Sequence, residues 1–334
     1  MGGRALKLIG IETERKTTFD HLRIQSILKP KIAEMFNTEV KGVKFYRHKE
    51  THGDLDLLIL NNGNLGNVAE KLKTEFGPVY SNGNVYSFEY EKYQVDVILQ
   101  PTRNWETCSD FFDYDPSGNL CGKTAHKFGL KYGFSGLVYP FRSFSGRLAS
   151  DIVISKDTKK IFDFLGFNYE HYSKGFDTVD EIFEWIINGK YFCADSFMMD
   201  NLNHIDRKRN AKRSTYQGFL EYINKRSGEL PSYKFDKNKE NYIDLIDAFF
   251  PEAGFKKELE KLKLKDERNE LASKKFNGKL VMEITNLTGK ELGACITAFK
   301  KFKEDQCEIS FTDAVLDDTD IMETFEQWFH FYKN

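Results

Sequence analysis

Apolar positions follow two different periods along the chain. From 19 to 36, Leu22, Ile24, Ile27, Leu28, Ile32 and Met35 approximate the stripe of an amphipathic helix, and Pro30 within it predicts a kink or a break. The period then shortens. Leu55-Asp56-Leu57-Leu58-Ile59-Leu60 is a short apolar run stopped by Asn61-Asn62-Gly63-Asn64, a strand followed by a turn. A helix is predicted over 66–76 and two further strands over Val85–Tyr90 and Tyr93–Leu99, the second closed by Pro101. Residues 108–133 are mixed, with a turn at 116–119 and a helix from Lys123, and 140–150 reads as loop. Beyond 157 helical patterns dominate, over 157–166, 178–188, 207–226, 240–250, 255–275, 278–286 and 289–303. The chain is therefore α+β to about residue 150 and mostly helical after it, with a boundary between 150 and 175. It contains no internal repeat.

Within the first strand lies His52-Gly53-Asp54-Leu55-Asp56-Leu57. Residues two apart on a strand project from one face, so Asp54 and Asp56 point together. Asp96 sits in an equally apolar strand, Val95-Asp96-Val97-Ile98. If the strands are neighbours, three carboxylates converge, and three bare anions in a partly buried place repel one another. A divalent cation resolves this, and Mg2+ favours a few carboxylates with substrate phosphates and water. Two such ions would activate a hydroxyl and stabilise a leaving pyrophosphate. Taken alone, Asp-x-Asp at a strand start is more often a turn or edge feature. The second acidic strand, and Gly53 allowing close approach to the backbone, turn the reading toward a metal site.

Composition narrows the class. The 30 Phe and 16 Tyr are enough to build cores, which argues against a disordered chain. A net charge of −2 gives no global field, so nucleic-acid binding would need local patches. The five cysteines form no CxxC pair and are odd in number, which suits reduced thiols in a cytoplasmic protein better than disulfides or zinc. No run of 18 apolar residues suggests a membrane span. The N-terminus carries Leu6 where a myristoylation signal needs Ser or Thr.

Gly53-Asp54-Leu55-Asp56, followed by the Val95-Asp96-Val97 strand, resembles the catalytic palm of the DNA polymerase beta superfamily, which includes CCA-adding enzymes, poly(A) polymerases and terminal transferases. Phe111-Phe112, Lys123-Thr124-Ala125-His126 and Tyr132-Gly133-Phe134 are similar to the nucleotide-sugar segment and following helix of family-X polymerases. Ser155-Lys156-Asp157 with Ile161-Phe162-Asp163-Phe164-Leu165 resembles the start of their thumb, so the likeness spans 42–166 with one small gap. The resemblance implies a nucleotidyltransferase palm, a mixed sheet with flanking helices. It also implies that Asp54, Asp56 and Asp96 are catalytic and hold two Mg2+ ions, with Mn2+ as substitute.

One feature departs from the family. The Gly-Ser pair that cradles the triphosphate before the first Asp is absent, and Val43-Lys44-Phe45-Tyr46-Arg47-His48 stands there. Arg47 occupies the place of a phosphate-binding arginine, and Lys44 offers a charge in place of the serine; a solvated basic edge is the alternative for both. Phe111 and Phe112 are candidates for the incoming sugar and Lys123 for a phosphate, against plain packing. With Gly53 these form the expected nucleotide-binding set.

The helical half carries its own signal. Arg207, Lys208, Arg209, Lys212 and Arg213 fall within seven residues, ahead of an apolar stripe of Tyr216, Phe219, Leu220 and Ile223. One face packs and the other is basic, which suits a polynucleotide backbone as well as a solvated surface. Thr288 and Glu291 fit a capping box opening a helix. The segment around them resembles the Gly-x-x-hydrophobic-Gly turn of bacterial-type CCA-adding enzymes and poly(A) polymerases. From Glu304 to Asn334 nine acidic residues face the single basic Lys333, with Phe325, Trp328, Phe329 and Tyr332 at helical spacing.

The expectation is a catalytic palm over 1–150, a helical polynucleotide-binding domain over 151–303 and an acidic helix or tail over 304–334. The partners are a nucleoside triphosphate and a polynucleotide 3′ end, RNA and tRNA ahead of DNA, with no membrane. The alternatives are a family-X-like DNA polymerase, nucleotidyl transfer to a protein or small molecule, and a non-catalytic binding module on a decayed palm.

Overall fold

The computed structural model describes residues 5–226 and 228–333; Met1–Arg4, read above against an acylation signal, lie outside them. The chain forms two compact units, Met1–Tyr139 with Val153–Ala253, and Pro140–Ile152 with Gly254–Asn334.

The first unit opens with strand β1 (Lys16–Thr17) and helix α1 (Thr18–Phe36). Thr17 caps the helix, its side-chain oxygen accepting from the Asp20 amide at 3.1 Å. The helix runs on through Pro30 rather than breaking there. Pro30 and Ser26 both face solvent, so the missing hydrogen bond leaves a carbonyl that water can satisfy. Strands β2 (Val40–Gly42), β3 (Thr51–His52) and β4 (Asp54–Asn61) follow, then α2 (Val68–Phe76), β5 (Val79–Asn82), β6 (Val85–Tyr90) and β7 (Tyr93–Pro101). Five strands form one mixed sheet, β2-β4-β7-β6-β5, while β1 pairs with β3. At its centre β4 and β7 run parallel; β2 joins antiparallel on one side and β6 on the other.

Alternation decides which face of this sheet is core. Leu55, Leu57 and Ile59 of β4 and Val95 and Val97 of β7 are fully buried under Ile24, Leu28 and Ile32 of α1 and Val68 and Leu72 of α2. Each such side chain contributes ~1.5–3 kcal/mol on burial. A one-residue slip would drive Asp54, Asp56 and Asp96 into that core, so the register is strongly specified. On the opposite face Leu58 and Ile98 pack under Trp105 and Cys108 of α3 (Trp105–Phe112).

Helix α4 (Ser117–Lys127) packs on α3 and on β8 (Lys131–Gly133). With β9 (Gly136–Arg142) and β10 (Leu148–Ser155), β8 forms a second sheet of order β10-β9-β8. The stretch 140–150, expected as loop, therefore contributes strand. That strand is the end of β9 and the start of β10, whose apolar alternation, Ile152 and Ile154 buried and Val153 exposed, begins only beyond the stretch. Helices α5 (Thr158–Leu165), α6 (Tyr169–Lys174), α7 (Val179–Ile187), α8 (His204–Asn210), α9 (Ser214–Lys225) and α10 (Ile243–Phe249) complete the unit. Asp157, Asn168, Thr178 and Asn203 cap α5 to α8, each side chain accepting from the amide three residues on. The single helix expected over 207–226 is two. Asn210, fully buried, ends α8 with its side-chain oxygen accepting from Asn119 at 3.1 Å, and the chain turns over 211–213 before α9.

The second unit adds α11 (Phe255–Lys275), α12 (Gly278–Thr285), α13 (Gly289–Cys307), α14 (Phe311–Asp317) and α15 (Ile321–Lys333) around Phe276, Val281, Phe299, Val315 and Phe325. The capping box expected at Thr288 does not form. Thr288 makes no side-chain cap bond, and Gly289 beside it has φ of 56°, so the first turn lacks the regular geometry a box requires. The aromatic tail helix docks through buried Phe325, with Trp328 and Phe329 packed against the core. Asp318 pairs with Lys303 at 3.1 Å and Asp313 with Arg268, so part of the acidic segment is matched within its own unit. Among the described residues no helix is long and apolar enough to cross a membrane.

Candidate active site

The face of β4 that α3 leaves uncovered carries Asp54 and Asp56. The parallel register sets Asp56 directly opposite Asp96 on β7. One carboxylate oxygen from each of the three lies within 4.8 Å of the others. Burial and the charges of Asp54 and Asp96 push the Asp56 carboxyl well above the usual carboxylate range. Asp96 is raised to about 6 by burial and by Asp54, against hydrogen bonds from Ser87 and Gln94. Such a set of hard oxygen donors, mutually repelling when bare, fits a divalent cation of the Mg2+ or Mn2+ kind.

Neighbouring side chains hold these carboxylates in place. Gln94 donates through Nε2 to both oxygens of Asp96 at 3.0 Å, while its Oε1 accepts from the backbone amide of Ala5 at 2.9 Å. Tyr93 donates its hydroxyl to the Asp54 carbonyl at 2.6 Å. The phenol's one proton is thereby used, so His21, whose Nδ1 lies 2.9 Å from the same oxygen, is the donor in that bond. His21 stacks on His52 with ring centroids 3.9 Å apart. Burial lowers His21 to about 4 and His52 to about 3, so both rings are neutral at physiological pH. The pair forms an uncharged wall beside the acidic strand.

Asp54 and Asp56 open onto a cleft of about 1100 Å³ within the first unit. Of the residues expected from sequence to bind a nucleotide, Lys44, Gly53, Phe111 and Phe112 line it. Lys44 is engaged with Asp113, its ammonium 3.3 Å from one oxygen and its backbone amide 2.8 Å from the other. Phe111 meets Phe112 and Tyr132 edge-on. Gly118 lets the start of α4 come close to the end of α3, since a Cβ there would sit 2.2 Å from the Phe111 carbonyl oxygen.

Arg47 and Lys123 are not brought to the cleft. Arg47 pairs with Asp177 and donates to the Lys174 carbonyl at 3.0 Å. Lys123 is buried, its ammonium 2.6 Å from Asp206, and ties α4 to α8. The basic run divides in the same way. Arg209, Lys212 and Arg213 line the cleft. Arg207 turns back to donate to the carbonyls of Met199, Asp200 and Leu202 at 3.0–3.1 Å, and Lys208 is exposed outside the lining.

Sequence reasoning passed over Lys49 and Asp115, which both line the cleft. Burial lowers the Lys49 ammonium from its ordinary range, opposed by the charges of Asp115, Asp54 and Asp56. The loop from Val43 to Glu50 has no regular period, so nothing in it tells which of its cations turns inward.

No family model matches the chain, and no curated protein matches it. Among solved structures it is similar to polymerase beta from Leishmania infantum in a ternary P/T complex, with a TM-score of 0.37 and 16% identity over 47% of this chain and 74% of that one.

Proposed function

We propose that the protein is a metal-dependent nucleotidyltransferase that moves a nucleotide from a nucleoside triphosphate to the 3′-hydroxyl of a polynucleotide. The observation that carries this reading is the register pairing of Asp56 with Asp96, with Asp54 on the same face at the floor of an open cleft. The hydroxyl oxygen bonds to the α-phosphorus as the bond from that phosphorus to the β-bridging oxygen breaks. Pyrophosphate departs with the electron pair, and the hydroxyl proton passes to solvent or a carboxylate. Two divalent ions, Mg2+ or Mn2+, would supply activation of the hydroxyl and charge neutralisation at the leaving oxygen. Asp54, Asp56 and Asp96 would hold them, Gln94 orients the Asp96 carboxylate, and Tyr93 fixes the backbone at Asp54.

In this reading residues 1–150 hold the catalytic palm, 151–303 carry the polynucleotide and 304–334 form an acidic tail, in a cytoplasmic enzyme that prefers RNA ends, tRNA especially. The test is transfer from each labelled triphosphate to RNA and DNA primers with and without Mg2+. Asp56→Ala and Asp96→Ala should abolish transfer with unchanged circular dichroism. Full activity in either variant refutes the assignment, and extension of DNA alone corrects the acceptor.

A further inference from the structure

The cations that sequence offers for phosphate binding are largely committed elsewhere. Lys44 faces Asp113, Arg47 is held by Asp177 and Lys123 by Asp206. Arg209, Lys212 and Arg213 differ. All three line the cleft that Asp54 and Asp56 open onto, and among the described residues none has an ion-pair partner within 4.0 Å. Arg213 is partly buried there, and burial together with the nearby Arg209 lowers its pKa from the ordinary arginine range. Cations gathered with no ion pair closed on any of them are poised for an anion.

Their scaffold is fixed. Asn210 is buried between Asn119, which donates to its side chain at 3.1 Å, and Gln217, which donates to its carbonyl at 3.0 Å. Thr215 donates to Asp115 at 3.2 Å. The turn between α8 and α9 is thus pinned to the start of α4, and Ser214 and Thr215 line the same cleft. Asp115 and Asp206 are the carboxylates whose charge reaches Arg213, and Asp115 lines the cleft with it.

We infer that Arg209, Lys212 and Arg213, with the hydroxyl of Ser214, hold the polyphosphate tail of the donor nucleotide rather than a polynucleotide backbone; this rests on the nucleotidyltransferase reading. The cluster occupies one turn of chain, whereas a backbone needs charges spread along a track. The two members of the run that would extend it, Arg207 and Lys208, do not reach the cleft. A triphosphate carries three to four negative charges in one compact group. Metal-bearing carboxylates could take its α end and guanidinium forks its distal end, the latter by charge-assisted bonds. This arrangement would take over the task of the absent Gly-Ser pair.

The test uses the full chain with Mg2+. Binding of tripolyphosphate, of non-hydrolysable analogues of the four nucleoside triphosphates, and of RNA and DNA oligonucleotides is measured for wild type and for Arg209→Ala/Lys212→Ala/Arg213→Ala. The variant should bind tripolyphosphate and analogue ~100-fold more weakly and oligonucleotides almost as wild type. Arg213→Lys, which keeps charge but loses the fork, should fall between them. Equal tripolyphosphate affinity in variant and wild type overturns the inference and leaves the nucleotidyltransferase reading standing. A loss confined to oligonucleotides also overturns it and assigns the turn to the polynucleotide. A wild type that binds no triphosphate at all overturns both. Binding that depends on these residues in a protein that transfers nothing supports the phosphate site while removing the parent reading.

Discussion

Replacing Asp96 by asparagine should stabilise the metal-free protein while abolishing the nucleotidyl transfer proposed above. The carboxyl of Asp96 rises from 3.8 to about 6 on folding, first through burial and then through Asp54. At ~1.36 kcal/mol per pH unit this amounts to about 3 kcal/mol. The sign follows from proton counting. Between these two values the folded protein keeps a proton that the unfolded chain has lost, so wild-type stability falls as pH rises through about 6. Asparagine is neutral throughout, and its side-chain oxygen can still accept from Gln94. In EDTA, the variant should therefore exceed wild type by about 3 kcal/mol at pH 7.5, with most of that gain gone at pH 4.5. Asp113 is also raised to about 6 by burial, but it is present in both proteins and cancels, whereas Asp56, which the Asp96 charge helps to push up, is relieved by the substitution and adds to the gain. Urea unfolding at the two pH values, repeated with Mg2+, reads the effect. Mg2+ should stabilise wild type more than the variant. A variant less stable than wild type at pH 7.5 in EDTA, or one that gains as much from Mg2+, would refute the picture of three crowded carboxylates.

Lys49→Met should tighten Mg2+ binding several-fold, because a half-buried ammonium beside Asp54 and Asp56 competes with the metal for their charge; titration calorimetry measures it. Gly118→Ala should cost ~1–3 kcal/mol of stability, since the new methyl meets the Phe111 carbonyl at 2.2 Å and α3 or α4 must shift; the melting temperature reports the loss. Lys123→Ala should destabilise by ~1.5–3 kcal/mol by removing the charge-assisted bond to Asp206, which keeps its bond from Asn203, yet leave the triphosphate KM of the folded fraction unchanged. A large rise in that KM would return Lys123 to the nucleotide site.

Much of the acidic floor was readable from the chain. The two-residue spacing of Asp54 and Asp56 puts both on one face whatever surrounds the strand, and Val95-Asp96-Val97 announces a second acidic position in an apolar strand. Their pairing was not readable. The β5–β6 hairpin lies between β4 and β7 in sequence, and only the folded sheet shows that β4 and β7 are parallel neighbours with Asp56 against Asp96. The cations were harder still. α4 is buried on nearly every side from Ser117 to Ala125, so a lysine at 123 had no polar face to occupy, and its partner Asp206 lies 83 positions away. In the run 207–213 charge density alone suggested one basic helical face. The buried side chain of Asn210 and the turn after it send Arg207 one way and Arg213 another.

Gln94 joins two things that are far apart in the chain. One end of its side-chain amide holds both oxygens of Asp96, and the other receives the main-chain amides of Ala5 and Leu6 at 2.9 and 3.4 Å. The Ala5 and Leu6 amides are therefore linked through one side chain to the acidic floor. Hydrogen exchange at Ala5 and Leu6 should slow when a cation settles the Asp96 carboxylate and quicken when it leaves, so two amides outside the cleft can report its occupancy without a substrate, a label or a turnover.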